Sequence, residues 1–527
     1  MNPLLLIPIS LFHLFFETRA FWLLVLFVAC VILRFIHRVF VKPWLLVRHY
    51  KSQGIKTCFF PGLNPINTWD ALALKHGNCL YPWIEFVNKN PDAPAFLTNL
   101  GPFVHLQLVD PNHIKEFFNK EFECYKKGIV FKVIKLAFDD AITVNENYNV
   151  WKARRRIYSQ AFHFEFLRDN LSSIEDVTIR FCNDIHPSKL DTLDIFKASK
   201  HLTGVISGSV FFGEDMSNVT LEGESVIDYL SDFCETALSL FKSPLIFVLG
   251  PKIVYKKLTA SHREMLRKKR VFREFAKKII EKKEQEMSEG MKSCAGSRAN
   301  LLEIFIKAKK EDPETRLDNE SIASEFMIFF FGGVDTTAQL ISHSCYFIAK
   351  YPEITKRLRE EIRGVWSVGK PLTMEVVNKL EYLNAFIKEV NRYVAISFIT
   401  AERVARKDHN ILGIKIKKGT TVAGGFKALS SHPKYYKNAH EFDPDRFLRK
   451  DPEEKFNTEP FVYLPFSSGR RNCIGQHLAI LEAKVALVHL LMRYVMSLPK
   501  NYQYQLHIDI GFLIPMQPLK LKLKPLM

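Results

Sequence analysis

Nine cysteines are scattered singly through the 527 residues, at positions 30, 58, 79, 124, 182, 234, 294, 345 and 473. Their number is odd and none stands in a CxxC pair. This argues against a disulfide framework or a zinc site and fits reduced thiols. There is no zinc-finger spacing and no RNP-like aromatic motif, so nothing ties the net charge of +18 to nucleic acid. No flavin or nicotinamide motif and no additional reductase-like domain is visible. What is there excludes disorder: 47% of residues are hydrophobic and 44 are Phe. The charge then points to an acidic partner or an anionic membrane surface. Basic runs such as Lys268-Lys269-Arg270 read as the wet face of a helix. Length arithmetic alone gives roughly two to four domains.

The N-terminus is strongly apolar. Pro3 to Phe16 form one run interrupted by His13, and Ala20 to Leu33 form a second. Neither reaches the ~20 residues that span a bilayer. The second does so when extended through Phe35 and Ile36 with Arg34 snorkelling to the interface. A signal peptide would want a basic leading segment and a small-residue cleavage site, and the sequence offers neither. Arg34, His37, Arg38, Lys42, Arg48 and Lys51 crowd the C-terminal flank, and the positive-inside rule places the remainder of the chain in the cytosol. Residues 1–42 therefore read as a hydrophobic anchor, one span or a hairpin. Residues 43–65 read as a linker ending near Pro61-Gly62 and Pro65, and residues 66–527 as one large domain.

Within that domain, Trp69 to His76 is helical. Ala95 to Val109 is a hairpin broken at Gly101-Pro102, and Asp110-Pro111 caps a helix through Ile114 and Phe117. Residues 165–300 are mostly helical, apart from the apolar stretch Lys242 to Lys256, a second membrane contact or a buried loop. Leu258, Met265, Phe272 and Ile279 recur seven apart, as on an amphipathic surface helix. Asn170 and Asn218 sit in N-x-S/T patterns that a cytosolic face leaves unglycosylated. Ile411 to Gly425, turning at Lys417-Lys418-Gly419, and Leu506 to Lys522, turning at Gly511, read as short strands.

Four stretches carry chemistry. Pro465 to Ala479, PFSSGRRNCIGQHLA, sets Cys473 between Gly469 and Gly475 at the start of an apolar helix. There N–H groups and the helix dipole favour a thiolate. Ser321 to Lys350 is a long apolar helix holding Gly332-Gly333-Val334-Asp335-Thr336-Thr337 at its middle. Threonine can back-bond and bend such a helix; alternatively the glycines admit a ligand while the acid and alcohol supply protons. Trp151 and Arg155 share one helical face, as do Glu389 and Arg392.

Phe466-x-x-Gly469-x-Arg471-x-Cys473-x-Gly475 resembles the haem-binding loop of the cytochrome P-450 superfamily. The order WxxxR, glycine-acid-threonine helix, ExxR, Phe442 to Phe447 and cysteine loop is similar to that family throughout. The resemblance implies a mainly α fold with a smaller β region, behind an N-terminal transmembrane anchor, with residues 66–527 as the haem-thiolate catalytic domain. It implies haem b with Cys473 as axial thiolate ligand, in a loop that Phe466 and Gly475 help to shape. Trp151 and Arg155, Arg403 and Arg471 would hold the propionates, and Glu389, Arg392 and Arg446 would brace the loop. Asp335 and Thr336 would serve catalysis, with Thr336 hydrogen-bonded to dioxygen and Asp335 in a proton relay. The implied activity is insertion of one oxygen atom from O2 into an apolar substrate such as a lipid, sterol or xenobiotic. Electrons would come from an NADPH-dependent flavoprotein reductase, with cytochrome b5 as a further partner, docking on a basic face around Arg470 and Arg471. The implied location is the endoplasmic reticulum membrane, facing the cytosol. Alternatives are a hydroperoxide isomerase or dehydratase on the same fold, and a haem-binding membrane protein without turnover. Family members often have prolines after ExxR; YVAISFITAERVA has none.

Overall fold

The longest charge-poor stretch of the sequence becomes the longest helix, and the rest of the domain packs around it. The computed structural model describes residues 19–527 apart from 61–64, 101–102, 186–191, 241–245, 247–248, 290–299, 400–401, 450–455, 457–458, 510 and 527. The helices that position the site are α1 (Arg19–Ile36), α2 (Lys42–Lys51), α3 (Tyr148–Tyr158), α4 (Phe164–Asn183), α5 (Ile195–Ser207), α6 (Ala260–Ser288), α7 (Asn319–Lys350), α8 (Glu381–Val394) and α9 (Gln476–Arg493).

The central helix α7 spans roughly 48 Å at 1.5 Å per residue. Its start is fixed by a capping box: Asp318 accepts from the Ser321 N–H, and the Asp318 N–H donates to Ser321 Oγ. From Ile322 to Ile348 nearly every side chain is buried. Phe326 stacks on Phe212 with ring centres 3.7 Å apart, and Phe329 stacks on Phe162. Such pairs add about 0.5–1.5 kcal/mol each beyond burial. The two glycines do not break the helix, because this packing outweighs their cost of about 1 kcal/mol each.

The β region that positions the site is a five-stranded sheet with two separate hairpins; a three-stranded sheet of Tyr494–Ser497, Lys520–Pro525 and Leu193–Asp194 and a hairpin of Thr220–Leu221 and Glu224–Ser225 lie apart from it. The strands are β1 (Ala95–Leu100), β2 (Phe103–Leu108), β3 (Tyr125–Lys127), β4 (Arg403–Ala405), β5 (His409–Ile411), β6 (Ile414–Ile416), β7 (Thr421–Gly424), β8 (Leu506–Asp509) and β9 (Phe512–Pro515). The sheet order is β1-β2-β7-β4-β3, with β7 parallel to β2 and the other neighbours antiparallel. β5–β6 and β8–β9 are separate hairpins.

Three details differ from the sequence reading. Residues 43–51, expected inside a linker, are helical, and they follow α1 through a five-residue π-helical turn, His37–Val41. Phe21–Lys51 is thus one rod, long and apolar enough to cross a membrane, with mean hydropathy 2.3 over an 18-residue window. Its far end is fastened to the sheet region: Tyr50 is fully buried and donates to Thr420 Oγ1 at 2.9 Å. Of the basic run at 268–270, only Arg270 faces water. Lys268 and Lys269 are buried against Asp232 and Asp139, and Lys269 also donates to the Leu136 carbonyl. Their aliphatic stems cover apolar surface while the carboxylates satisfy the ammonium heads. The seven-residue apolar repeat holds for Met265, Phe272 and Ile279 on α6, but Leu258 precedes the helix and is exposed. The first apolar run, Pro61-Gly62, the turn at 101–102 and much of the 242–256 stretch lie outside the described residues.

Candidate active site

Cys473 hangs at the mouth of α9. The Cys473 N–H donates to the Phe466 carbonyl at 3.0 Å, closing the loop, and Gly475 stands at the N-cap of the helix. Gly469 lies at φ +74°, and a side chain there would meet Phe118 at 3.1 Å, so both conformation and space require glycine. The sulfur is exposed to the cleft yet ringed by protein. Burial pushes the thiol above its ordinary value, and the Gly475 N–H and Arg155 pull the other way. A coordinated cation would draw off the proton, as it does for thiols generally.

Beside the loop lies a corner rich in cations. Arg155 donates to the Asn472 carbonyl and to Asn472 Oδ1 at 2.9 and 2.8 Å, so it holds the residue before the cysteine. Arg471 turns inward: it donates to the Asn145 carbonyl and covers the Trp151 ring at 4.5 Å. Arg403 is ion-paired with Glu121 and donates to the Glu402 carbonyl. Sequence reasoning missed Lys127. It lies directly opposite Arg403 in the β3–β4 ladder and is buried. Burial and the charges of Arg403 and Arg471 push Lys127 well below its ordinary value, and Arg471 is lowered to about 10. Like charges directly opposite across a ladder are destabilising; Glu121 is taken by Arg403, and Glu146 accepts from the Lys127 backbone N–H. A ligand edge with two carboxylates would meet the Lys127 and Arg471 side chains, so the residues present suit the expected haem.

Over the cleft, the two glycines of α7 have different work. A Cβ on Gly332 would meet nothing within 4 Å, so this position faces open space. A Cβ on Gly333 would lie 2.6 Å from Ser207 Oγ and 3.2 Å from Phe211, so this glycine lets α5 close on α7. The ligand-approach reading thus applies to Gly332 alone. Thr336 Oγ1 donates to the Gly332 carbonyl at 2.8 Å, the expected back-bond. Asp335 is buried, and its Oδ1 lies 3.0 Å from Lys200 Nζ of α5, an ion pair without hydrogen-bond alignment. Lys200 also escaped the sequence reading, because nothing local marks a partner over a hundred residues away.

The brace is complete in itself. Arg392 donates twice to Glu389 at 2.7 Å, then to the carbonyls of Ser430, Ala439 and Glu441. Arg446 Nε stands 3.7 Å from Glu389 Oε2 and Nη1 donates to the Lys437 carbonyl. Glu389 also accepts from the Asp443 N–H. All three side chains are at most 1% exposed. Tyr463, just ahead of the cysteine loop, donates to the Lys388 carbonyl on α8 and so links brace and loop.

A family model described as Cytochrome P450 matches residues 84–523. Human cytochrome P450 3A5 is 29% identical over 444 residues, covering 80% of this chain and 83% of that protein. A probable cytochrome P450 4ac1 of Drosophila melanogaster is 26% identical over 423 residues, covering 79% and 80%. The heme domain of cytochrome P450DA superposes with TM-score 0.72 at 19% identity, over 90% of this chain and 99% of that one, and so shares the fold. The matched span contains the cysteine loop, the cationic corner, the central helix and the brace, and the chain belongs to the cytochrome P450 family.

Proposed function

We propose that the protein is a membrane-anchored haem-thiolate monooxygenase that inserts one oxygen atom from dioxygen into an apolar small molecule, a lipid, sterol or xenobiotic. Family membership already makes it an oxidoreductase that works with haem, dioxygen and a redox partner. The observation that carries the finer reading is the placing of two groups side by side. Cys473 stands in its glycine-bounded loop at the mouth of α9, and the largely buried cations Arg155, Lys127 and Arg471 gather beside it.

When bound, the haem supplies oxygen activation, helped by electron density from the thiolate, a form of ligation for which cytochromes P450 are themselves the type example. This chain's residues do the rest. Cys473 would hold the haem iron through its sulfur, and the Gly475 N–H would steady its charge. Arg155, Arg403, Arg471 and Lys127 would hold the propionates, and Trp151 supports Arg471 through its ring face. Gly332 leaves open space beside α7, and Thr336 places a hydroxyl one turn further on. Lys200 holds the Asp335 carboxyl toward α5, so protons reach Thr336 through this pair. Glu389, Arg392 and Arg446 hold the backbone that carries the loop.

The N-terminal rod is read as an endoplasmic reticulum anchor with the domain on the cytosolic side. Exposed Arg470 and Lys152 remain on the outer face beside the loop, where an acidic NADPH-dependent flavoprotein reductase, or cytochrome b5, can dock. Arg471 does not join that face, since it is turned inward. The intact Asp335–Thr336 pair argues against a reductant-independent isomerase. The test is the spectrum of the reduced, carbon-monoxide-bound protein. A red-shifted Soret band that disappears in Cys473→Ser supports the reading; histidine-type absorption overturns it. Substrate-induced difference spectra over fatty acids, sterols and drug-like compounds then narrow the substrate class.

A further inference from the structure

The junction between the anchor rod and the catalytic domain carries a second concentration of positive charge, far from any catalytic role. Arg34, Arg38 and Lys42 recur four apart along the rod, which keeps them on one side. Arg34 acts electrostatically on Arg38, and Arg38 on Lys42. Lys42 is further repelled by Lys126, which points outward from β3. Lys42 Nζ also lies 3.4 Å from where a Cβ on Gly419 would sit, so it overhangs the 417–419 turn and Lys418. Asp408, at the same turn, is engaged by Lys417 Nζ and the Lys418 N–H.

The opposite side of the same stretch is apolar and bare. Phe40 and Trp44 there are each 58% exposed, Leu45 on the flank beside Lys42 is 50% exposed, and Arg48 covers the Trp44 ring at 5.6 Å. Exposed aromatic and aliphatic groups level with a row of cations are the signature of a segment lying at a bilayer interface. The crook is also rigid. Besides Tyr50, His49 Nε2 stands 2.8 Å from the Lys415 carbonyl, and the Lys415 N–H donates to Gln53 at 2.7 Å. The rod-borne and domain-borne cations are therefore held at fixed separation.

We propose that this crook binds the headgroup of an anionic phospholipid, with Lys42 and Lys126 as its principal contacts and Arg34, Arg38 and Lys418 around them. A zwitterionic phosphatidylcholine headgroup brings a quaternary ammonium into a place already crowded with cations. A phosphatidylserine headgroup brings net negative charge and relieves the crowding. The proposal rests on the reading of the rod as a membrane anchor.

The experiment uses the full chain reconstituted in phosphatidylcholine vesicles with a trace of spin-labelled lipid, either phosphatidylserine or phosphatidylcholine. The motionally restricted fraction reports which lipid resides at the protein. About a five-fold preference for phosphatidylserine is expected, as is usual for a basic residue or two at an anionic surface. It should fall to near parity in Lys42→Gln/Lys126→Gln, with haem absorption unchanged. Equal fractions for both labels in the unmodified protein, or an undiminished preference in the double variant, overturn the site. Water-soluble glycerophosphoserine should fail to displace the labelled lipid. Full displacement would identify a phosphate-anion site instead and overturn the lipid assignment. Alkaline carbonate extraction of the same vesicles, read first, tests the anchor on its own. Release of the protein would sink the anchor reading, whereas retention without lipid preference would sink only the headgroup site.

Discussion

Two buried ionic clusters flank the cysteine loop, and they are built on opposite principles. Around Glu389, the guanidinium of Arg392 is met by the Glu389 carboxylate and three carbonyls, and Arg446 stands against the same carboxylate and donates to a carbonyl, so the partners lie within the chain. Around Lys127, two cations face each other across a ladder, a third stands close, and burial depresses Lys127 and Arg471. The first cluster is finished when the chain folds. The second is finished by something the chain does not encode. A scaffold and a receptor can thus be told apart by whether their charge is settled internally.

The sharpest way to break the comparison is to cut the finished cluster. Arg392→Met leaves Glu389 buried without its partner and should cost about 3–5 kcal/mol. Denaturant unfolding should show the loss with and without haem, and little haem-containing protein should accumulate. Lys127→Met should behave differently in kind. Without haem it removes a like-charge contact and should raise the unfolding free energy by up to about 1 kcal/mol. With haem it should lower retention, measured as faster transfer to an acceptor apoprotein. A loss of stability in both forms would refute the receptor reading. Cutting neither cluster, Thr336→Ala should preserve haem binding while diverting reducing equivalents to hydrogen peroxide. Unchanged coupling between cofactor consumption and product would count against the relay. Lys200→Met should have a smaller effect, altering the pH profile of turnover more than its maximum, because it acts through Asp335.

The smallest effect is on acid stability. Burial lowers His105, His343, His432 and His489 to about 4 from an ordinary value near 6.5. Between those values the unfolded chain binds more protons than the folded one, so stability falls as pH drops from 6.5 toward 4. Replacing His343, whose ring lies against Tyr504, by Gln should flatten that part of the profile. Thermal midpoints across the window would check it.

Much of this was readable from residues whose meaning is local. Asp110 caps a helix as its sequence suggests, accepting from the N–H groups of Asn112 and His113. The loop around Cys473 closes where its glycines allow. Glu389 and Arg392 meet because three residues is close to one helical turn. What escaped depends on pairings between distant segments. Lys127 matters through its register with Arg403, and a three-residue strand offers too little pattern to be seen. Lys200 matters because α5 runs beside α7. Gly332 and Gly333 look alike in a sequence, and only the neighbouring helix decides which one faces the cleft. The continuity of the rod escaped because basic residues from Arg34 to Lys51 interrupt the apolar run, whereas the helix continues through them, with Pro43 at the first positions of α2, where proline is tolerated.

That continuity has a mechanical consequence. A rod of 31 residues is roughly 46 Å long, and its upper end is bolted to the sheet through Tyr50. Tilting the rod therefore tilts the whole domain, as a mast carries its sail. A span adjusts to a thinner bilayer by leaning, so membrane thickness would set the attitude of the domain over the surface.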